Sequence, residues 1–310
     1  MLQIRLKIRD INHMAWEEVF KSWGSAPSTT EQGKMENAET AIRKAINAHT
    51  KLAEMDISFI SQGSYKSKTN VKNDSDVDIC VCLNSTFFAR YPQGKTREDY
   101  GNIPGTISFV EFKNLVHEAL GKYFNYENIR RGNKAFDIHS NTYRVDADVL
   151  PAMAHRYYFD NGSYDHCDPV GIAFDTDDGK HVTNWPHHTY NNCRDKHERT
   201  GQRYRKVTRI LKRLRNKMQE ENIAAAKDIP SFIIQSMVWT APDNYFNKDT
   251  YTEDVRGILA HCFNETLEQG KHASLKEVNN IKSIFGSHQP CTREQAHSFF
   301  SAAWNYLGFE

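Results

Sequence analysis

Two aspartates stand two residues apart in Asp76-Val-Asp78, at the start of an alternating run to Leu83 that reads as a β-strand. Residues i and i+2 of a strand share a face, so both carboxylates project together while Val77, Ile79 and Val81 turn into a core. Carboxylates held that close repel each other, and shared divalent cations relieve the repulsion. Hard oxygen ligands suit Mg²⁺ or Mn²⁺, which bind one or two carboxylates and leave room for phosphate oxygens. A third carboxylate is needed for a two-ion site. Tyr143-Arg-Val-Asp-Ala-Asp-Val-Leu-Pro-Ala152 offers Asp146 and Asp148 on one face of a second predicted strand. Ahead of the acidic strand, Gln62-Gly63-Ser64 ends a short β-like run in a turn, where a bare Gly backbone and a Ser hydroxyl are suited to cradle a triphosphate. These residues point to metal-dependent transfer from a nucleoside triphosphate.

The surrounding pattern supplies elements to carry them. Residues 30–54 read as one long helix, with Ala38, Ala41, Ile42, Ala45 and Ile46 on one apolar face. Residues 57–60 and 76–83 read as strands, and 109–124 as a helix. Residues 135–139 and 143–150 read as two strands joined by a polar turn at Ser140 and Asn141. An irregular acidic stretch covers 160–179. Thr200 is a plausible N-cap for a helix running to Met218, and helices follow at 231–240, 253–269, 275–285 and 293–307. Mixed α/β comes first and all-helix second, so the chain divides into a catalytic lobe over 1–185 and a helical lobe over 186–310.

The helix after Thr200 is strongly basic. Arg205, Arg209 and Lys212 share a face, and Val207, Ile210, Leu211, Leu214 and Met218 form an apolar stripe. Its basic face is either solvated or a phosphate clamp. The chain as a whole is not a polycation: 40 Lys+Arg balance 39 Asp+Glu, for a net charge of +1 over 310 residues. With 39% hydrophobic and 12% aromatic residues it can build a true core. No apolar run approaches a membrane span, no secretory signal opens the chain, and six scattered cysteines imply no disulfide framework. A cytoplasmic protein with reduced thiols is expected.

Gly63-Ser64, Asp76-x-Asp78 and Asp148-Val-Leu-Pro-Ala152, in that order, resemble the nucleotidyltransferase core of polymerase-β-like enzymes. More narrowly, they resemble the CD-NTases, bacterial relatives of cyclic GMP-AMP synthase and oligoadenylate synthase. The resemblance spans residues 30–310 and implies an α+β fold: a mixed sheet with a long N-terminal spine helix, followed by a helical lobe. It makes Asp148, which precedes a hydrophobic-hydrophobic-Pro-Ala run, the third metal ligand beside Asp76 and Asp78, with Asp146 a neighbour. It implies nucleotide contacts at Gln62, Gly63 and Ser64, a triphosphate contact at Lys212 in Arg209-Ile-Leu-Lys-Arg213, a phosphate contact at Ser231, and base stacking by Phe232, where relatives often carry Tyr. It implies two Mg²⁺ or Mn²⁺ ions and no organic cofactor. NTP substrates, ATP among them, would yield a cyclic di- or trinucleotide and pyrophosphate. A separate effector would read the product in anti-phage signalling, with no membrane and no required nucleic-acid activator.

Competing constellations are weaker. His187, His188, Cys193 and His197 suggest a structural zinc, yet the close ligand pairs of such sites are absent. Cys80 and Cys82 fall in line with the aspartates and read as packing. Transfer to an RNA end, a protein or a small molecule, and a catalytically idle sensor of the same fold, are the alternative functions. The ending Leu307-Gly-Phe-Glu310 lacks the small terminal residue that would favour C-terminal conjugation. Base identity, linkage and ring size are not legible in these residues.

Overall fold

The computed structural model describes residues 16–72, 76–158, 171–269, 274–287 and 289–309. Asn73, Asp74 and Ser75 of the acidic loop, and residues 160–170 of the predicted irregular stretch, lie outside them. The chain forms two compact units: Ser28–Ser67 with Asn73–His188, and the chain up to Pro27 with Lys68–Lys72 and everything from Thr189 onward.

The first unit is built on a mixed sheet of seven strands: β1 (Ile57–Ser61), β2 (Val77–Arg90), β3 (Ile129–Arg131), β4 (Phe136–Ile138), β5 (Ala147–Tyr157), β6 (Gly171–Asp175) and β7 (His181–Asn184). The order is β1-β2-β5-β4-β3, with β6 and β7 continuing from β5. β2 and β5 run parallel and every other pairing is antiparallel. A parallel pair needs a crossover, and the chain between β2 and β5 provides one in a helix over Phe109–Phe124. Ser108 caps that helix by accepting from Glu111 N.

Numbering helices from one over residues 16–23 (α1), the predicted long helix is two: α2 (Thr29–Asn47) and α3 (Thr50–Ala53), divided where His49 turns extended as the N-cap of the second. The apolar stripe of α2, with Met35, Ala38, Ile42, Ala45 and Ile46 all buried, packs with Phe112, Val116 and Leu120 against Val77, Ile79, Val81 and Val149. Full burial of each Ile or Leu stabilises by about 1.5–3 kcal/mol. This face of the sheet is therefore committed to the core, and the opposite face is left to the aspartates.

Five further helices follow α4 (Gly63–Ser67) and α5 (Phe109–Phe124): α6 (Pro186–Arg199), α7 (Tyr204–Glu220), α8 (Ser231–Thr240), α9 (Tyr251–Glu265) and α10 (Arg293–Tyr306). α6 is too polar to show an apolar stripe in the sequence; its buried residues are Cys193, Lys196 and His197. Thr200 is not the N-cap of α7. Its hydroxyl accepts from Tyr204 N at 3.1 Å and donates to Lys196 O at 2.7 Å, stitching α6 to α7. The α7 stripe of Val207, Ile210, Leu211, Leu214 and Met218 is completely buried. Glu17 of α1 accepts from Tyr251 N, Thr252 N and Thr252 Oγ1, so its carboxylate sits on the positive end of α9.

The helix expected at 275–285 does not form. Asn279 Oδ1 accepts from Ile281 N and Lys282 N, and the chain doubles back through a Lys276–Ser283 bridge. An Asn side chain that bonds the backbone two residues on competes with helix, and a second Asn at φ +59° completes the turn. Among the described residues no helix is long and apolar enough to cross a membrane.

Candidate active site

Register brings the acidic residues together. Asp78 on β2 is the Cα partner of Asp148 on β5, and Asp137 on β4 is the partner of Asp148 from the other side. Partners across a ladder share a face, so three carboxylates form a row over three strands. Asp76, exposed, sits immediately before β2 on the same alternation. Burial pushes the Asp148 carboxyl up to about 7, and Asp78, Asp137 and Asp76 add to the rise. Asp137 had no signal in the sequence: one Asp in a three-residue strand, placed only by pairing. It also accepts from Arg130 Nε at 2.6 Å.

Asp146 takes a different role from Asp148. It precedes β5, and its carboxylate accepts from Ser140 N at 2.5 Å, closing the β4–β5 turn. The β5 strand starts four residues later than the alternation suggested and runs on to Tyr157.

Gly63 and Ser64 lie in a short helix, α4, rather than in an open turn. Gln62 N donates to Asp78 O at 2.8 Å, which presses this segment onto the acidic strand. Gly63 has φ +60°, and a Cβ built on it would come within 1.9 Å of Asp78 Oδ2. Only glycine permits that approach. Gln62 Nε2 is buried with no hydrogen-bond acceptor among the described residues, its amide lying beside the Cys80 thiol. Cys80 and Cys82 are buried in the core; burial raises the Cys80 thiol well above its ordinary range, as packing residues require.

Lys212, Ser231 and Phe232 belong to the helical unit. Lys212 is only 2% exposed. Its ammonium donates to Thr69 O and Oγ1, both at 3.2 Å, and to Gln235 Oε1 at 3.3 Å. A direct phosphate contact, as the resemblance implied, requires it to leave these partners. Arg209 donates to Gly24 O at 2.8 Å and Lys68 O at 2.7 Å, and Arg213 to Lys72 O at 2.8 Å. Much of the basic face of α7 thus fastens backbone carbonyls of residues 24 and 68–72, and it is neither simply solvated nor simply a phosphate clamp. Ser231 opens α8 and its hydroxyl accepts from Arg215 at 3.0 Å; Phe232 is partly buried against the helical core.

The zinc constellation does not assemble. The Cys193 thiol accepts from Gln235 Nε2 at 3.3 Å and lies 3.6 Å from the Tyr204 hydroxyl. His197 accepts from Arg205 N at 3.4 Å, and burial with nearby Arg205, Arg209 and Lys206 pushes it down to about 4. Among the described residues no three His, Cys, Asp or Glu side chains surround one metal position. For Mg²⁺ or Mn²⁺ the aspartates fit in donor type and charge, and burial first, with the neighbouring carboxylates second, raises the Asp148 carboxyl; a closed coordination geometry is not preformed.

A family model for the C-terminal helical domain of cGAS/DncV-like nucleotidyltransferases matches residues 191–308. A cyclic dipyrimidine nucleotide synthase of Legionella pneumophila is 38% identical over 303 residues, covering 94% of this chain and 98% of that protein. A cyclic dipyrimidine nucleotide synthase of Cecembia lonarensis is 33% identical over 294 residues, covering 94% and 98%. The solved structure of an Elizabethkingia meningoseptica cyclic dinucleotide synthase with GTP and Apcpp superposes with a TM-score of 0.76 at 29% identity, covering 94% of this chain and 99% of that one. Fold, acidic row and these likenesses define an enzyme of the nucleotidyltransferase class. The chain belongs to the CD-NTase family, the cGAS/DncV-like nucleotidyltransferases.

Proposed function

We propose that this enzyme condenses nucleoside triphosphates into a cyclic dinucleotide with release of pyrophosphate. The observation that carries the reading is the pairing of Asp78 with Asp148 across β2 and β5, with Asp76 beside them. Two Mg²⁺ ions bound by these three carboxylates would lower the pKa of the attacking ribose hydroxyl and neutralise charge on the departing pyrophosphate. Gln62, Gly63 and Ser64 border the same carboxylates and are proposed to bind phosphate oxygens, the buried Gln62 amide N–H and the Ser64 hydroxyl as donors. Ser231 with Arg215 is proposed to bind phosphate and Phe232 to stack on a base. Lys212 acts in this proposal by holding Thr69, and so the segment leading toward Asp76.

The Legionella and Cecembia relatives are dipyrimidine synthases, which supports UTP and CTP as substrates ahead of the ATP expected from the sequence, while the Elizabethkingia structure holds GTP and Apcpp. A role in anti-phage signalling, with the product read by a separate effector, follows from the family resemblance. Incubation with all four NTPs and Mg²⁺ or Mn²⁺, followed by phosphatase treatment and mass spectrometry, tests the reading. A phosphatase-resistant cyclic product lost in Asp76→Asn/Asp78→Asn supports it; a product found only on an added RNA, protein or small molecule overturns it.

A further inference from the structure

Residues 68–72 belong to the helical unit, although the chain on either side of them belongs to the sheet unit. Ser64 lies four residues before this strap and Asp76 four residues after it. Thr69, Asn70 and Val71 are buried, so the strap is packed into the helical unit and not laid over it. Arg209, Lys212 and Arg213 of α7 donate to its carbonyls at Lys68, Thr69 and Lys72. Contacts to backbone carbonyls hold a segment whatever its side chains are. One contact depends on a side chain of the strap itself: Thr69 Oγ1 donates to Gln235 Oε1 at 2.8 Å, and both residues are buried.

The orientation of the Gln235 carboxamide follows from its neighbours. An ammonium carries donors only, so the Gln235 atom 3.3 Å from Lys212 Nζ is the carbonyl oxygen. The amide nitrogen then turns to Cys193 Sγ, 3.3 Å away. Thr69 Oγ1 also accepts from Lys212 at 3.2 Å, so Thr69, Gln235 and Lys212 close a triangle of hydrogen bonds. In a dry interior a bond with a charged donor is strong, and a member left without its partner is costly. Ser231, the proposed phosphate contact, stands one turn earlier on the same face of α8. Gln235 itself serves the strap, and its loss therefore differs in kind from loss of a phosphate ligand.

We infer that Gln235 is a positioning residue: it fixes the strap through Thr69, and so the two stretches of chain that carry Ser64 and Asp76. The inference rests on the nucleotidyl-transfer reading of those residues and is tested apart from it. Gln235→Leu removes the acceptor, Thr69→Val removes the hydroxyl on the strap side, and Gln235→Glu keeps an acceptor that a carboxylate presents to Lys212. With NTPs and Mg²⁺, Gln235→Leu should lower kcat about 10- to 100-fold, since misplacing catalytic groups by about 1 Å costs up to about 100-fold. KM should change less than about threefold, whereas a damaged phosphate contact at Ser231 would raise it. Gln235→Glu should recover most of the loss. Thr69→Val should lower kcat about three- to tenfold, the effect of one neutral hydrogen bond, and should add nothing further in combination with Gln235→Leu. A Gln235→Leu enzyme that melts as a folded protein and keeps wild-type kcat overturns the inference, as does a rise in KM alone or fully additive loss in the double variant. Where Gln235→Leu does not fold, wild-type kcat in Thr69→Val overturns it. A turnover-independent arm follows hydrogen exchange by mass spectrometry. Faster exchange in Gln235→Leu on peptides covering 68–72, with α9 and α10 unchanged, supports the latch even if the wild type makes no cyclic product. Wild-type exchange at 68–72 sinks it even if synthesis is confirmed.

Discussion

Asp78 and Asp148 stand directly opposite each other on adjacent parallel strands, and Asp137 faces Asp148 from the antiparallel strand beyond. Three acids in register across a sheet cost stability unless a cation or a proton relieves them. That single relationship links the stability of the protein to its chemistry.

Stability without metal should fall as pH rises. The Asp148 carboxyl is raised from 3.8 to about 7 in the folded state, so between those values the folded chain binds more protons than the unfolded one. The contribution of this group is therefore most favourable below pH 4 and is lost progressively up to pH 7. Melting curves in EDTA at pH 5.5 and 8 should show the lower midpoint at pH 8, after correction with Asp148→Asn as the reference. A slope unchanged in that variant would mean that another group is responsible.

Neutralising one member of the row should separate stability from activity. Asp78→Asn removes repulsion on Asp148 and should raise the metal-free melting midpoint by about 2–4 °C, or ~1 kcal/mol. The same variant should lose at least about 100-fold in nucleotide transfer, since a ligand of the proposed ions is gone. Asp137→Asn should instead retain activity and move the acidic limb of the pH–rate profile to lower pH, because a group that raises the Asp148 carboxyl is removed.

Two glycines make a matched pair. Gly63→Ala combines a left-handed backbone with a Cβ driven into Asp78, and should lower both stability, by more than about 1 kcal/mol, and activity. Gly33, inside α2, meets nothing within 4 Å. Gly33→Ala should raise stability by about 0.5–1 kcal/mol with activity unchanged. Equal effects at the two sites would show that Gly63 is not pressed against the acidic strand.

Arg209 spans two carbonyls from inside the helical unit, and burial lowers its guanidinium to about 10 while leaving it charged at neutral pH. Arg209→Met should cost roughly 2–5 kcal/mol by orphaning Gly24 O and Lys68 O. Arg209→Lys should recover only part, because an ammonium on a flexible stem cannot reproduce the fork. Chemical denaturation followed by tryptophan fluorescence reads both.

Much of this architecture is local and so was legible in the chain. The alternation of 76–83 set Asp76 and Asp78 against the buried Val77, Ile79 and Val81. The 3/4 spacing of α2 and α7 marked their buried stripes, and α5 and α10 were located almost to the residue. Periods of two and 3.6 residues are properties of a segment by itself, so hydrophobic spacing reports them before any packing exists. What the segment could not decide was pairing. Asp137 joins the acidic row because β4 docks on β5 in one register. Lys212 and Arg209 fasten carbonyls 141 to 185 residues away in the chain, partners that no local pattern announces. The turn at Asn279 and Asn280 outcompeted a helix. Register and burial of charge depend on distant partners, and only the folded chain brings those partners together.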